Sequence, residues 1–408
     1  MSGFSRRGFI GSAALGLAAE ANAEADQADF SFKNNVPDPL LAGHELPTFK
    51  FELEKSIPGK VVGGNNAREA TVKQLPISKG IAGVSMRLEP GGLRELHWHA
   101  TAAEWAYVRE GRVRTTVIDP EGNFEVNDFG PGDIWYFPRG HGHALQGLGP
   151  GTAHFILIFD NGYFSEFGTF SITDWIGHSP KELVAKNLGL PAELIEKLPR
   201  EEVYFGRGPA PTGPPGPILH GRLKSPRLTH KYEMLKQGPH SVHAGGREWR
   251  VGADRFPISQ TVTGVVLELE PGGLRELHWH PTSDEWQYVL SGKVRVTMFG
   301  SHGRYRVETL QAGDVGYIPQ GYGHSVENAS DSQPARLLIG FNTGHYEAID
   351  LSSWIAGNPR SLLENNFRIN GAEADQFPRD RVFIAPKAGP PRHKEGYDVF
   401  PVAEPDRR

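Results

Sequence analysis

Polar and apolar positions alternate over short stretches along much of this chain. Gly111-Arg112-Val113-Arg114-Thr115-Thr116-Val117 and Gly292-Lys293-Val294-Arg295-Val296-Thr297-Met298 follow the period of two expected of half-buried strands. Pro120-Glu121-Gly122-Asn123 and Gly130-Pro131-Gly132-Asp133 read as turns between such strands. Short strands at regular spacing predict an all-β protein built on jelly-roll barrels. Two helical stretches, Pro180 to Leu198 and Pro359 to Asn366, follow the strand-rich segments and predict short helical extensions. Residues 206–218, rich in Gly and Pro, read as a linker.

The pattern occurs twice because the sequence does. Leu88 to His99 recurs as Leu269 to His280, so that position 97 corresponds to 278, an offset of 181. Glu104 and Glu285, Gly111 and Gly292, Asp133 and Asp314, Pro138 and Pro319, and His143 and His324 keep that offset. Two copies of one domain follow. The expected division is a targeting segment at 1–23, an N-terminal arm at 24–50 and a first barrel with its helical extension at 51–205. A linker at 206–235 leads to a second barrel with its extension at 236–384, and a C-terminal arm occupies 385–408. Polar, Pro-containing arms of this kind either pack on a neighbouring domain or subunit or stay disordered.

Composition narrows the chemistry. The 408 residues carry a net charge of −5, which gives no basic footprint for nucleic acid. There is no Cys, which excludes disulfides, thiolate metal sites and cysteine nucleophiles. Gly (50) and Pro (32) are frequent without a collagen period, in keeping with many turns. At the N-terminus, Ser5-Arg6-Arg7-Gly8-Phe9-Ile10 precedes a short Ala/Gly-rich apolar run and Ala21-Asn22-Ala23. This resembles a bacterial twin-arginine export signal with its cleavage site, and the run is too short for a spanning helix. The expectation is a periplasmic or secreted protein that does not reside in a membrane.

His97 and His99 are two apart, so on a strand both imidazoles project from one face. Glu104 has the wrong parity for the same strand, and Ala100-Thr101-Ala102-Ala103 supplies the intervening turn, as Pro281-Thr282-Ser283-Asp284 does in the second copy. His143 follows the Pro138-Arg139-Gly140 turn on a later strand. His278, His280, Glu285 and His324 repeat the set. Three neutral nitrogens and one carboxylate suit Mn or Fe with positions left for substrate and water. His141 is set aside as a ligand because its counterpart is Tyr322.

Gly91, His97, His99, Glu104 and Gly111, followed by Gly132, Pro138, Gly140 and His143, have the spacing of the two cupin motifs. The second copy matches with Gly272, His278, His280, Glu285, Gly292, Gly313, Pro319, Gly321, His324 and Asn328; the first has Gly147 at that last position. More narrowly, Arg94-Glu95-Leu96-His97-Trp98-His99, Glu104-Trp105-Ala106-Tyr107, Trp135-Tyr136-Phe137-Pro138, Thr173-Asp174-Trp175 and Glu285-Trp286-Gln287-Tyr288 resemble the bicupin oxalate decarboxylases. The resemblance implies two Mn(II) ions per chain, dioxygen as co-catalyst, oxalate as substrate, formate and carbon dioxide as products, and a homohexamer of two stacked trimers.

It also implies that Arg94 and Arg275 bind substrate, although three residues before a ligand histidine is the wrong parity on an ideal strand. The family's lid segment corresponds to Ser165-Glu166-Phe167-Gly168-Thr169, which keeps Glu166 as proton donor and departs at the next two positions. Phe159 to Trp175 is three residues longer than its counterpart, Phe341 to Trp354. Some family members carry a glutamate near the second metal, where Leu338-Ile339-Gly340 offers no carboxylate. Glu166 and Arg94 in the first barrel are therefore the expected catalytic pair, with the second metal structural or serving electron transfer. The alternatives are an oxalate oxidase at the same site, a non-catalytic storage-like bicupin, and an aromatic-ring-opening dioxygenase. Complete ligand sets count against the second, and Glu104 and Glu285 against the third.

Overall fold

The computed structural model describes residues 46–214, 225–301 and 304–387. The export signal at 1–23 lies outside the described residues, as do the arms at 24–45 and 388–408 and the part of the linker at 215–224. Within the described residues the chain forms two barrels, each a seven-stranded sheet facing a six-stranded one. All strand pairs are antiparallel, as expected where hairpins and longer returns join the strands.

Strands Glu104–Glu110 and Ala153–Phe159 are buried along nearly their whole length, and their alternation explains why. Ala106, Val108, Phe155, Leu157 and Phe159 enter the first barrel's interior, with Trp135, Phe137 and Met86. Trp105, Tyr107, Ile156 and Ile158 point the other way and join the second barrel's apolar cluster, with Val265, Trp286 and Tyr288. Each face of the pleat thus has an apolar partner. The contact is reciprocal: Trp286 lies over Gly83 and Trp105 over Gly264, where a Cβ would stand 2.0 and 2.1 Å from the indole.

Each barrel also takes in a short strand from elsewhere in the chain. Lys50–Phe51 pairs with Val315–Ile318 of the second barrel, and Leu46 and Phe49 are buried beside it. Lys231–Tyr232 pairs with Ile134–Phe137 of the first. A boundary at 51 therefore cuts a strand of the second barrel, and a linker running to 235 contains one of the first. Two-residue strands are too short to leave a periodic signal.

The helical extensions are each three short helices: Ile172–Gly177, Lys181–Leu188 and Ala192–Ile195, then Leu351–Ala356, Arg360–Phe367 and Gly371–Ala374. The stretch from Pro180 to Leu198 is broken because Gly189 takes a left-handed cap (φ 66°) and Pro191 follows it.

Candidate metal centres and the lid

The strand Gly92–Trp98 carries the first site. It pairs with Gly142–Gly147, opposing His97 to His143 but Arg94 to Leu145, so three steps on one strand match two on the other. This bulge resolves the parity problem, because the extra residue brings Arg94 and His97 to the same face. Leu96 is turned out to solvent, while Arg94 and His97 are buried. The strand Leu274–Trp279 has the same bulge, pairing Arg275 with Val326 and His278 with His324.

His97, His99, Glu104 and His143 converge, with one ligand atom from each within 4.8 Å of the others, and His278, His280, Glu285 and His324 do likewise. His99 Nε2 lies 3.1 Å from Glu104 Oε2 and 3.2 Å from His143 Nε2. In the second barrel Glu285 Oε2 lies 2.9 Å from His280 Nε2 and 3.1 Å from His324 Nε2. The outer nitrogens fix the tautomers. His97 and His143 donate from Nδ1 to the carbonyls of Glu95 (2.6 Å) and His141 (2.8 Å), leaving Nε2 with its lone pair turned inward. His278 and His324 do the same with Glu276 and Tyr322. Trp135 Nε1 donates to the other oxygen of Glu104 at 2.7 Å, and Gln287 Nε2 to that of Glu285 at 2.6 Å.

Electrostatics favour the metal-binding protonation states. Burial, reinforced by Arg94 and by Arg275, pushes His97 and His278 well below the usual imidazole range. Burial alone would raise Glu104 and Glu285, but His143 and His324 beside them hold both carboxyls below their ordinary range. Three imidazoles and one carboxylate, all shielded from water, fit a divalent first-row cation in each barrel.

Beside the first centre, Arg94 Nε donates to Glu166 Oε1 at 2.9 Å and Arg94 Nη2 to Thr169 Oγ1 at 2.7 Å. The guanidinium stacks on Tyr204, 3.9 Å from the ring centroid. Glu166 lies in a one-turn 3-10 helix, Glu166–Gly168, and is buried. Its Oε1 lies 3.9 Å from His97 Nε2; its Oε2 lies 3.8 Å from His99 Nδ1 and accepts no hydrogen bond. Ser165 Oγ donates to buried Glu69 at 2.8 Å, which ties the turn to the barrel wall. Phe164 and Phe159 close the site against the His99 ring. Thr169 had no assigned role in the sequence, and Tyr204 and Glu69 no signal at all: each comes from outside the repeated motif.

The second barrel differs here. Arg275 Nη1 lies 2.7 Å from Asp350 Oδ1, and Arg275 Nη2 donates to Tyr346 at 3.4 Å. Ile339 lines the cavity beside the metal ligands, as its apolar side chain requires, but a carboxylate does reach that cavity. It is Glu248, from the strand Gly246–Val251. Neither Glu248 nor Asp350 belongs to a motif, so spacing could not find them.

The cupin family matches residues 55–196 and 232–375. The chain is 42% identical over 324 residues to the oxalate decarboxylase OxdC of Bacillus subtilis (strain 168), covering 79% of this chain and 83% of that protein. It is 32% identical over 365 residues to a probable oxalate decarboxylase of Arthroderma benhamiae, covering 88% of each. A solved structure of the Bacillus subtilis oxalate decarboxylase, from work on its Mn(II) centres, superposes with a TM-score of 0.79 at 39% identity, over 86% of this chain and 93% of that one.

Proposed function

We infer the reaction from one premise: the chain belongs to the bicupin oxalate decarboxylase family of the cupin superfamily. Membership makes it an oxalate decarboxylase, an enzyme that turns oxalate into formate and carbon dioxide. We place the chemistry in the first barrel, and the observation that carries this is Glu166, a buried lid carboxylate held between Arg94 and the ligand histidines. Manganese in both centres is the reading favoured by the donor sets and by the likeness to a protein with Mn(II) centres. Bound there, with dioxygen as co-catalyst, it would supply the charge that draws in one end of oxalate and the one-electron chemistry that weakens the C–C bond.

The protein's own residues do the rest. Arg94 offers a planar, fully desolvated fork to the far carboxylate. It must give up Glu166 to do so, which couples substrate binding to release of the lid acid. Stacking on Tyr204 and the bond to Thr169 hold the guanidinium in orientation. Hydrogen oxalate brings one proton, which Glu166 takes at Oε2. Breaking the C–C bond releases carbon dioxide, and the remaining one-carbon fragment takes that proton on carbon to become formate. Phe159 and Phe164 keep water away meanwhile. Without that proton, the fragment would be oxidised to a second carbon dioxide while dioxygen is reduced to peroxide.

Metal analysis with coupled formate and peroxide assays tests this reading. E166Q should retain two metals per chain and lose most formate production; unchanged formate would remove Glu166 as the proton carrier. Leu96, Phe170 and Trp175 are exposed, as are Leu277 and Trp354, which supports an assembly that covers them; family membership makes a homohexamer the form to expect, and light scattering checks it. The Arg6-Arg7 signal supports export to the periplasm or beyond, which fractionation of the native host would test.

A further inference from the structure

We infer that Asp350 is a built-in carboxylate occupant of the second barrel's arginine, and that together with Glu248 it closes the second metal centre to oxalate. The inference rests on the reading of the first barrel as the oxalate site. It starts from two positions where the internal repeat breaks. Ser171 pairs with His97 across the sheet, and Asp350 pairs with His278, so the two are structural equivalents. Both precede a helix. Ser171 does what that position asks, accepting from the Asp174 amide at 3.2 Å. Asp350 makes no cap bond. Its Oδ1 lies 2.7 Å from Arg275 Nη1 as an ion pair without accepting a hydrogen bond, and its Oδ2 accepts from Arg381.

Arg275 is thereby charge-paired with a carboxylate that is part of the protein. The first barrel's arginine also holds an internal carboxylate, but there the two cases part. Glu166 sits on a one-turn helix in the longer loop, so it can swing away when oxalate arrives. Asp350 lies in the strand Ile349–Asp350, hydrogen-bonded to the strand that carries His278, and a second arginine holds it. Displacing it would break a sheet contact and leave a buried carboxylate partly unpaired.

Glu248 adds to the barrier. It is the repeat equivalent of Ala67: Glu248 pairs with Leu267 as Ala67 pairs with Met86. It is 2% exposed, its Oε1 accepts no hydrogen bond, and Arg250 Nε is 3.6 Å away. It lines the cavity of about 10 Å³ shared with His278, His280 and Glu285, room for about one water. An entering oxalate anion would face Glu285, Glu248 and Asp350 with Arg275 already paired. Like-charge exclusion of this kind is a recognised route to specificity.

The repeat itself supplies the test substitutions, Asp350→Ser and Glu248→Ala. Manganese-loaded protein would be titrated with oxalate by calorimetry under anaerobic conditions, which withhold the co-catalyst. Wild type should bind one oxalate per chain and D350S/E248A two, with metal analysis giving two manganese per chain in both. Two oxalates on wild type, or one on the fully metallated double variant, would overturn the inference and leave the oxalate reading intact. A count of zero on wild type would remove the oxalate reading and this inference with it. If the double variant fails to hold its metal, D350N/E248A keeps the size of the side chain at 350 while removing both charges. A second oxalate on the fully metallated D350N/E248A supports the inference, and a count that stays at one overturns it.

Discussion

In the first barrel, His99 turns its Nδ1 towards the Glu166 carboxylate at 3.8 Å; in the second, the same nitrogen of His280 is bonded to the Glu347 carbonyl at 2.7 Å. Arg94 is held by a residue of a one-turn helix, Arg275 by a residue of the sheet. The metal ligands and the carbonyls behind His97/His278 and His143/His324 repeat, yet the partner of the His99 or His280 Nδ1 and the carboxylate at each arginine differ. If the first barrel alone is the oxalate site, as proposed, a duplicated shell gives two metal centres and one active site. What would separate them is whether the carboxylate beside the arginine can leave and return.

The largest effect expected separates the two acids. Glu166→Ala should lower the formate rate by about a hundredfold or more, the range for losing a positioned proton donor. Glu248→Ala should leave that rate within about twofold, since loss of a carboxylate outside the reacting site removes no proton transfer. Comparable losses in both variants would put chemistry in both barrels. The next contrast is one of stability. Removing Arg275 strands Asp350 in the interior with only Arg381, and R275A should cost about 3 kcal/mol in denaturant unfolding of the metal-loaded protein. A loss under about 1 kcal/mol, the range of an exposed pair, would mean that the pair is open to water.

A smaller effect belongs to Thr169, which accepts from Arg94 Nη2 at 2.7 Å, where Arg275 Nη2 has only the Tyr346 hydroxyl at 3.4 Å. T169V should lower kcat/KM about tenfold, as the loss of one charge-assisted hydrogen bond predicts. The smallest concerns the borrowed strand of the first barrel. Glu125 accepts from both the amide and the ring of His230, next to Lys231–Tyr232. Burial would raise its pKa, but the bonds from His230 and Thr229 lower it from 4.5 to about 2. A lowered folded pKa means stability that is present above the unfolded value and lost as pH falls through the folded one. E125Q should therefore be less stable than wild type by about 1 kcal/mol at neutral pH. The gap should narrow from pH 4.5 towards about 2. A gap that is constant with pH would mean that the Glu125 charge contributes nothing.

Much of this was legible in the sequence, and the repeat is the reason. Matching spacing picked out both His/His/Glu/His quartets, and a length difference of three residues pointed to the loop that bears Glu166. Arg94 was harder, because alternation alone turns it outward; only a bulge, which spacing does not encode, brings it in. Asp350 and Glu248 were out of reach for the opposite reason. They break the repeat at positions that look like ordinary strand residues, and their meaning depends on Arg275 and a cavity assembled from distant segments. Tyr204 is similar, since its ring reaches Arg94 only because the chain returns along the ligand strand at Phe205–Arg207.

The exchanged strands bear on how the molecule is made. Lys50 pairs with Gly316, so a residue that leaves the ribosome early must wait for one synthesised far later. Until then Lys50–Phe51 has no strand to pair with, and Leu46 and Phe49 have no cover. Loop closure over such a span is slow relative to local pairing. The first barrel is in a similar position, its Ile134–Phe137 edge waiting for Lys231–Tyr232. Each half thus completes its sheet only with chain from beyond its own repeat. Cutting the gene between the copies would not yield two finished barrels, but two with an unpaired edge each, ready to find one another or another molecule.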